Sequence, residues 1–179
     1  MHTTNKVFIA TSLDGYIADK NGGIDWLHSI PNPNNEDTGY LNFIKGIDAL
    51  VMGRTTYETV LSFDIPWPYN KPVFVLSNKL TEISHSHKEK VFLVKGSLTE
   101  VLDQIHKKGF HRLYIDGGTV IQNFLKEDLI DELIISKIPV LLGSGIPLFG
   151  ELSDKLEFEL TGVKTYLTQI TQTSYKRKR

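Results

Sequence analysis

The chain contains no cysteine. That absence excludes disulfides, thiolate nucleophiles and cysteine-ligated zinc together, and it fits a reducing compartment. Long hydrophobic runs are missing too. No apolar stretch approaches the roughly 20 residues needed to cross a bilayer. Near the N-terminus only Val7–Ala10 is apolar before polar residues return, too short for a signal-peptide core. Charge of one sign is also lacking. Twenty Lys and Arg oppose 21 Asp and Glu, a formal net charge of −1, so no global field favours nucleic acid or membrane. The basic end Tyr175–Arg179 reads as a solvated terminus. These exclusions predict a soluble, cytoplasmic protein.

What remains is ordinary globular composition: 179 residues, 40% hydrophobic and 23% charged. That length predicts a single domain over 1–179 with a good core. Five short apolar runs, Val7–Ala10, Ala49–Met52, Val73–Leu76, Val91–Val94 and Leu113–Ile115, read as strands buried on both faces. Helix patterns lie between them. Tyr40, Leu41, Ile44 and Ile47 share a face, as do Tyr57, Val60 and Leu61. Ser97–Glu100 is a capping box before the stripe Leu98, Val101, Leu102 and Ile105, with Gly109 as the C-terminal stop. Ile121, Phe124 and Leu125 mark a further helix. Asp131–Val140 reads as a strand, and 141–150 is punctuated by glycine and proline. The Thr-rich alternation over 157–175 predicts an antiparallel hairpin. The class is therefore α/β, with a mostly parallel mixed sheet, an antiparallel C-terminal edge and flanking helices. The longest irregular stretch, Leu13 to about Glu36, predicts a functional loop.

Two junctions carry most information. Ala49–Met52 runs into Gly53-Arg54-Thr55-Thr56, and Leu113–Ile115 runs into Asp116-Gly117-Gly118-Thr119. Each is a buried strand that breaks at glycine into a helix. Such a turn points free N–H groups and a helix dipole past the strand end, where phosphate binds well. Two of them in one small chain suggest a phosphorylated cofactor across the strand ends.

Ala10–Ala18 (ATSLDGYIA), Val51–Glu58 (VMGRTTYE), Asp116-Gly117-Gly118 and Pro139–Phe149 (PVLLGSGIPLF) follow one another in an order that resembles the dihydrofolate reductase-like superfamily. The chain is more similar still to the C-terminal reductase domain of riboflavin-biosynthesis deaminase-reductases and its stand-alone relatives. The resemblance covers nearly the whole chain. It implies a three-layer fold, NADPH as cofactor and hydride transfer to a C=N or C=O of a pyrimidine- or pterin-like substrate, as in 5-amino-6-(5-phosphoribosylamino)uracil reductase. Dihydrofolate reductase is one alternative, though the PVLLGSGIPLF form departs from true folate enzymes. A catalytically silent nucleotide-binding module is another.

Residue by residue, the resemblance puts Ala10 and Ile17 against the nicotinamide carboxamide. It puts Gly53, Arg54, Thr55 and Thr56 on the first phosphate element, Arg54 facing the 2′-phosphate. Ser77 and Asn78, with Lys79 alongside, fall beside the adenosine phosphate. Gly117, Gly118 and Thr119 fall on the pyrophosphate, with a cis bond between the two glycines. Leu148 and Phe149 fall in the substrate cleft. Asp37, 16 residues before Gly53, matches the position of a folate-type catalytic acid. Helix dipoles also draw acids to first turns, and Asp25 and Glu36 are rivals. Trp26 either roofs the substrate or tucks onto the core. His85 and His87 sit in a polar loop and read as solvated residues over a metal pair, His106 and His111 read as surface, and no metal site is expected. The resemblance, and the exposed edge of the C-terminal strands, predict a homodimer.

Overall fold

The computed structural model describes residues 3–63, 65–84 and 89–179; His85 and His87 lie outside them. The chain alternates strands and helices before closing in a hairpin. In order it forms β1 (Thr4–Thr11), β2 (Tyr16–Asp19), a 3-10 turn (Asp25–His28), α1 (Tyr40–Lys45), β3 (Ala49–Gly53) and α2 (Arg54–Ser62). β4 (Val73–Leu76), β5 (Val91–Val94), α3 (Leu98–Lys107), β6 (Arg112–Asp116) and α4 (Gly118–Lys126) follow. The last third holds β7 (Glu132–Lys137), β8 (Gly145–Pro147), β9 (Phe158–Tyr166) and β10 (Ile170–Arg177).

Eight strands form one sheet in the order β5-β4-β3-β6-β1-β7-β10-β9. The first six run parallel, and β10 runs antiparallel to both of its neighbours. Strand pleating sorts the core into two layers. Ala49, Val51, Phe74, Leu113 and Ile115 pack with α3 and α4 on one face. Leu50, Met52, Val73, Val75 and Tyr114 pack with α1 and α2 on the other. Burial on both faces explains why these strands read as unbroken apolar runs.

α3 begins where its capping box predicts, with Ser97 accepting from the Glu100 amide and the Glu100 carboxylate accepting from that of Ser97. It ends in a Schellman turn. The Gly109 and Phe110 amides donate back to His106 and Ile105, and Gly109 takes φ 90°.

Two expectations need correction. The stretch from Leu13 to Glu36 is not wholly irregular, since β2 lies within it and pairs antiparallel with β8 as a separate ribbon. Gly145 is required there, because a Cβ would collide with the Ala18 carbonyl. Asp14 fastens the same ribbon by accepting from the Leu142 and Gly143 amides. The basic terminus is not simply solvated either. The Arg177 guanidinium grips the Asp128 carboxylate, and Arg179 reaches Asp131. Within the described residues no helix is long and apolar enough to cross a membrane.

Candidate active site

In parallel strands the C-terminal ends align, and here those of β1, β3, β4 and β6 open into one cleft of about 1010 Å³. Registers of Met52 with Asp116 and of Gly53 with Leu76 set the strand ends side by side. α2 and α4 start at the cleft. Gly117 turns the chain with φ 88°, and a Cβ there would strike Thr56, so the two helix starts touch. Neither start is capped by a side chain, whereas α3 is. The first-turn amides of α2 and α4 are thus left to face the cleft.

Of the residues assigned to a cofactor, all but Lys79 line this cleft. Ala10 and Ile17 form one wall. Gly53, Arg54, Thr55 and Thr56 form the α2 start, and Gly117, Gly118 and Thr119 the α4 start. Ser77 and Asn78 close the β4 side. Ile17 also packs on Gly118, where a Cβ would approach its Cδ1 to 2.7 Å. Arg54 is half-exposed and already paired, its Nη1 lying 2.7 Å from the Glu58 carboxylate. A phosphate here would share that guanidinium with Glu58. None of the described peptide bonds is cis; the Gly117–Gly118 bond is trans, and the positive φ of Gly117 makes the turn instead.

The residues assigned to catalysis and substrate are placed differently. Asp37 is exposed and outside the cleft lining. Its carboxylate accepts from the Leu41 amide at 3.2 Å and so caps α1. The reason is the hairpin. The Gln172 side chain of β10 donates to the Thr38 carbonyl, which anchors the residues before α1 on β10, while Tyr40 and Phe43 of α1 pack on Phe8 of β1. Asp25 and Glu36 are likewise exposed and off the lining. Leu148 is fully buried in the core, held by a bond from its amide to Gly15, and is closed to a substrate. Phe149 is exposed and off the lining, while Ile146 of β8 takes its place. Trp26 is half-buried and off the lining, its indole N–H buried without a partner, while Ile24 and Leu27 beside it in sequence do line the cleft.

The acid at the strand ends is Asp116. It ends β6, a strand otherwise buried over Leu113–Ile115, and lies on the Tyr114 side of the sheet. Burial raises its carboxyl to about 6, opposed by the hydrogen bond from the Gly117 amide at 2.8 Å. Tyr69 lines the cleft beside it, and burial, reinforced by the Asp116 charge, raises the Tyr69 phenol well above its usual range. Tyr40 and Tyr114 are raised by the same two causes. The signal for Asp116 was present in the sequence as a lone acid ending an apolar strand before Gly-Gly. Among the described residues, no group of three or more His, Cys, Asp or Glu could hold a metal ion.

A mixed sheet of this order, with a cleft over its parallel strand ends and two open helix starts, defines an α/β protein of the dihydrofolate reductase-like class. The chain belongs to the RibD C-terminal domain family, whose model matches residues 6–172. It is similar to the structure of a putative riboflavin biosynthesis protein from Shewanella sp. PV-4, at 60% identity and a TM-score of 0.96 over 98% of this chain and 99% of that one. It shares its fold with a diaminohydroxyphosphoribosylaminopyrimidine deaminase/5-amino-6-(5-phosphoribosylamino)uracil reductase from Thermotoga maritima. That match has 17% identity and a TM-score of 0.74, and covers 98% of this chain but 57% of the larger protein. It also shares the fold with the dihydrofolate reductase of Enterococcus faecalis complexed with NADP(H), at 19% identity and a TM-score of 0.68 over 98% and 97% of the two chains.

Proposed function

We propose that this protein is an NADPH-dependent reductase acting on a C=N or C=O of a pyrimidine- or pterin-like substrate. The observation that carries the reading is the pair of uncapped helix starts, α2 and α4, touching at one cleft. Their unpaired amides and dipoles favour two neighbouring phosphate groups. Arg54, shared with Glu58, offers charge to a 2′-phosphate. Ala10 and Ile17 make a small apolar wall for a nicotinamide edge. NADPH, when bound, would supply the hydride.

The chain's own residues do the rest. The β2–β8 ribbon, through Ile17 and Ile146, gives the cleft an apolar wall. Reduction of C=N or C=O needs a proton as well as a hydride. Asp116, raised to about 6, holds a proton on a carboxyl oxygen in a useful fraction of molecules near neutral pH. A group poised in that way at a cleft is a functional candidate. Tyr69 lines the cleft near it and offers a phenol O–H to a bound substrate.

The test is NADPH oxidation against dihydrofolate and 5-amino-6-ribosylaminouracil compounds, repeated with Asp116→Asn. Turnover with the native chain and its loss in the variant support the reading. Saturable NADPH binding without turnover on any of these compounds would favour the silent nucleotide-binding module.

A further inference from the structure

β1 and β6 pair only over their first residues. Thr4, Asn5 and Lys6 register with Arg112, Leu113 and Tyr114. Beyond that point β1 keeps to β7 as far as Thr11, and β6 keeps to β3 as far as Asp116. The sheet thus parts where the cleft begins, with Ile9 and Ala10 on one lip and Asp116 on the other. The Phe8 carbonyl lies in this gap. The buried Tyr114 phenol reaches across from β6 and donates to it at 2.8 Å. The same hydroxyl also meets the Asp116 carboxyl, two residues further along the same face of β6.

A phenol has a single hydrogen to donate, and its oxygen can accept. The Phe8 carbonyl and the Asp116 carboxylate therefore compete for it. While Asp116 is protonated, its own O–H can donate to the phenol oxygen, and the phenol hydrogen stays on Phe8. An ionised Asp116 has no hydrogen to give and is the stronger acceptor of the two. Resting on the reductase reading, we propose that Tyr114 is a positioning residue for Asp116. Its hydroxyl turns from the Phe8 carbonyl to the Asp116 carboxylate as Asp116 gives its proton to the substrate, and turns back when Asp116 is reprotonated. Tyr114 keeps its own hydrogen throughout; the proton that moves leaves the Asp116 carboxyl oxygen. The remaining groups around Asp116 stay in place. The Gly117 amide fixes one of its oxygens at 2.8 Å, and the Tyr40 and Tyr69 phenols feel its charge from α1 and from the segment before β4.

The experiment is a carbon-13 NMR titration of the free chain, labelled at the aspartate carboxyl and the tyrosine Cζ. In the native chain the Tyr114 Cζ resonance should move with the midpoint of Asp116, about 6, and should stay flat in Asp116→Asn. Tyr114→Phe keeps the ring in the core and removes the donor that favours the carboxylate. It should raise the Asp116 midpoint by about half a unit or more, and the alkaline fall of kcat should move up with it. A native Tyr114 resonance that ignores Asp116 overturns the inference whether or not the variant folds. So does an Asp116 midpoint that is unchanged or lowered in Tyr114→Phe. Neither titration needs cofactor or substrate, so such a failure leaves the reductase reading standing. Titrations as expected, without turnover on any compound, would support the coupling of Tyr114 to Asp116 and strike the reductase reading instead.

Discussion

At Asp116 the chain leaves a buried strand and meets the cleft, and the two surroundings pull its carboxyl in opposite directions. Burial dominates and raises it to about 6, with the Gly117 amide opposing. The sign for stability follows from linkage. The folded carboxyl binds its proton more tightly than the unfolded one, so its contribution is greatest at acid pH. That contribution is lost as pH rises from the ordinary carboxylate range to about 6. Asp116→Asn should therefore raise the melting temperature more at pH 8 than at pH 4, as calorimetric scans would read. As an acid, Asp116 should also make kcat fall as pH rises through about 6. Asp116→Asn should cut turnover by about a hundredfold or more, while Asp37→Asn leaves it near normal. The reverse pattern in steady-state assays would return the acid to Asp37. Local reading favours Asp37 because acids gather near helix starts, and the long-range bond of Gln172 to Thr38 that anchors its segment on β10 has no local signal.

Elements differed in how well local sequence revealed them. The five apolar runs became β1, β3, β4, β5 and β6 because strands buried on both faces need no partner-specific pattern. The α3 capping box was legible for the same reason: its bonds close within four residues. Replacing the cap with Ser97→Ala should cost about 1 kcal/mol in chemical denaturation. The β2–β8 ribbon was not legible. It joins two short, glycine-rich segments far apart in sequence, and neither has enough length for a period to show. The C-terminal clasp was hidden likewise, since a basic end carries no sign of its partner. Arg177 is nearly buried against Asp128 and also donates to the Glu157 carbonyl. Arg177→Ala should lower stability by about 1.5–3 kcal/mol in urea titration, the range for charged hydrogen bonds. A change below 0.5 kcal/mol would mean the clasp is ornamental.

At the scale of the whole molecule, the parallel ladder makes the site legible. Once β1, β3, β4 and β6 align, every glycine junction faces one cleft, which is why the cofactor residues converge while Leu148, Phe149 and Trp26 do not. Leu148 and Phe149 follow β8 directly and Trp26 lies in the 3-10 turn after β2, so all three neighbour the ribbon that local sequence did not reveal. The sheet also ends in an open edge, β9, where Leu160 and Val163 are each more than half exposed. Unpaired edges with apolar side chains invite a second copy, so a homodimer along β9 is the expected state. Light scattering should give twice the chain mass at micromolar concentration, and Val163→Lys should halve it. A monomeric native chain would remove this proposal.

The central claim is that the two open helix starts and Arg54 form a site for a nucleotide bearing a 2′-phosphate. It is tested most directly by calorimetric titration of NADPH and NADH into the native chain. A charge-assisted contact of about 1.5–3 kcal/mol predicts roughly ten- to a hundredfold tighter NADPH binding. Equal affinities, or no saturable binding of either nucleotide, would contradict the account.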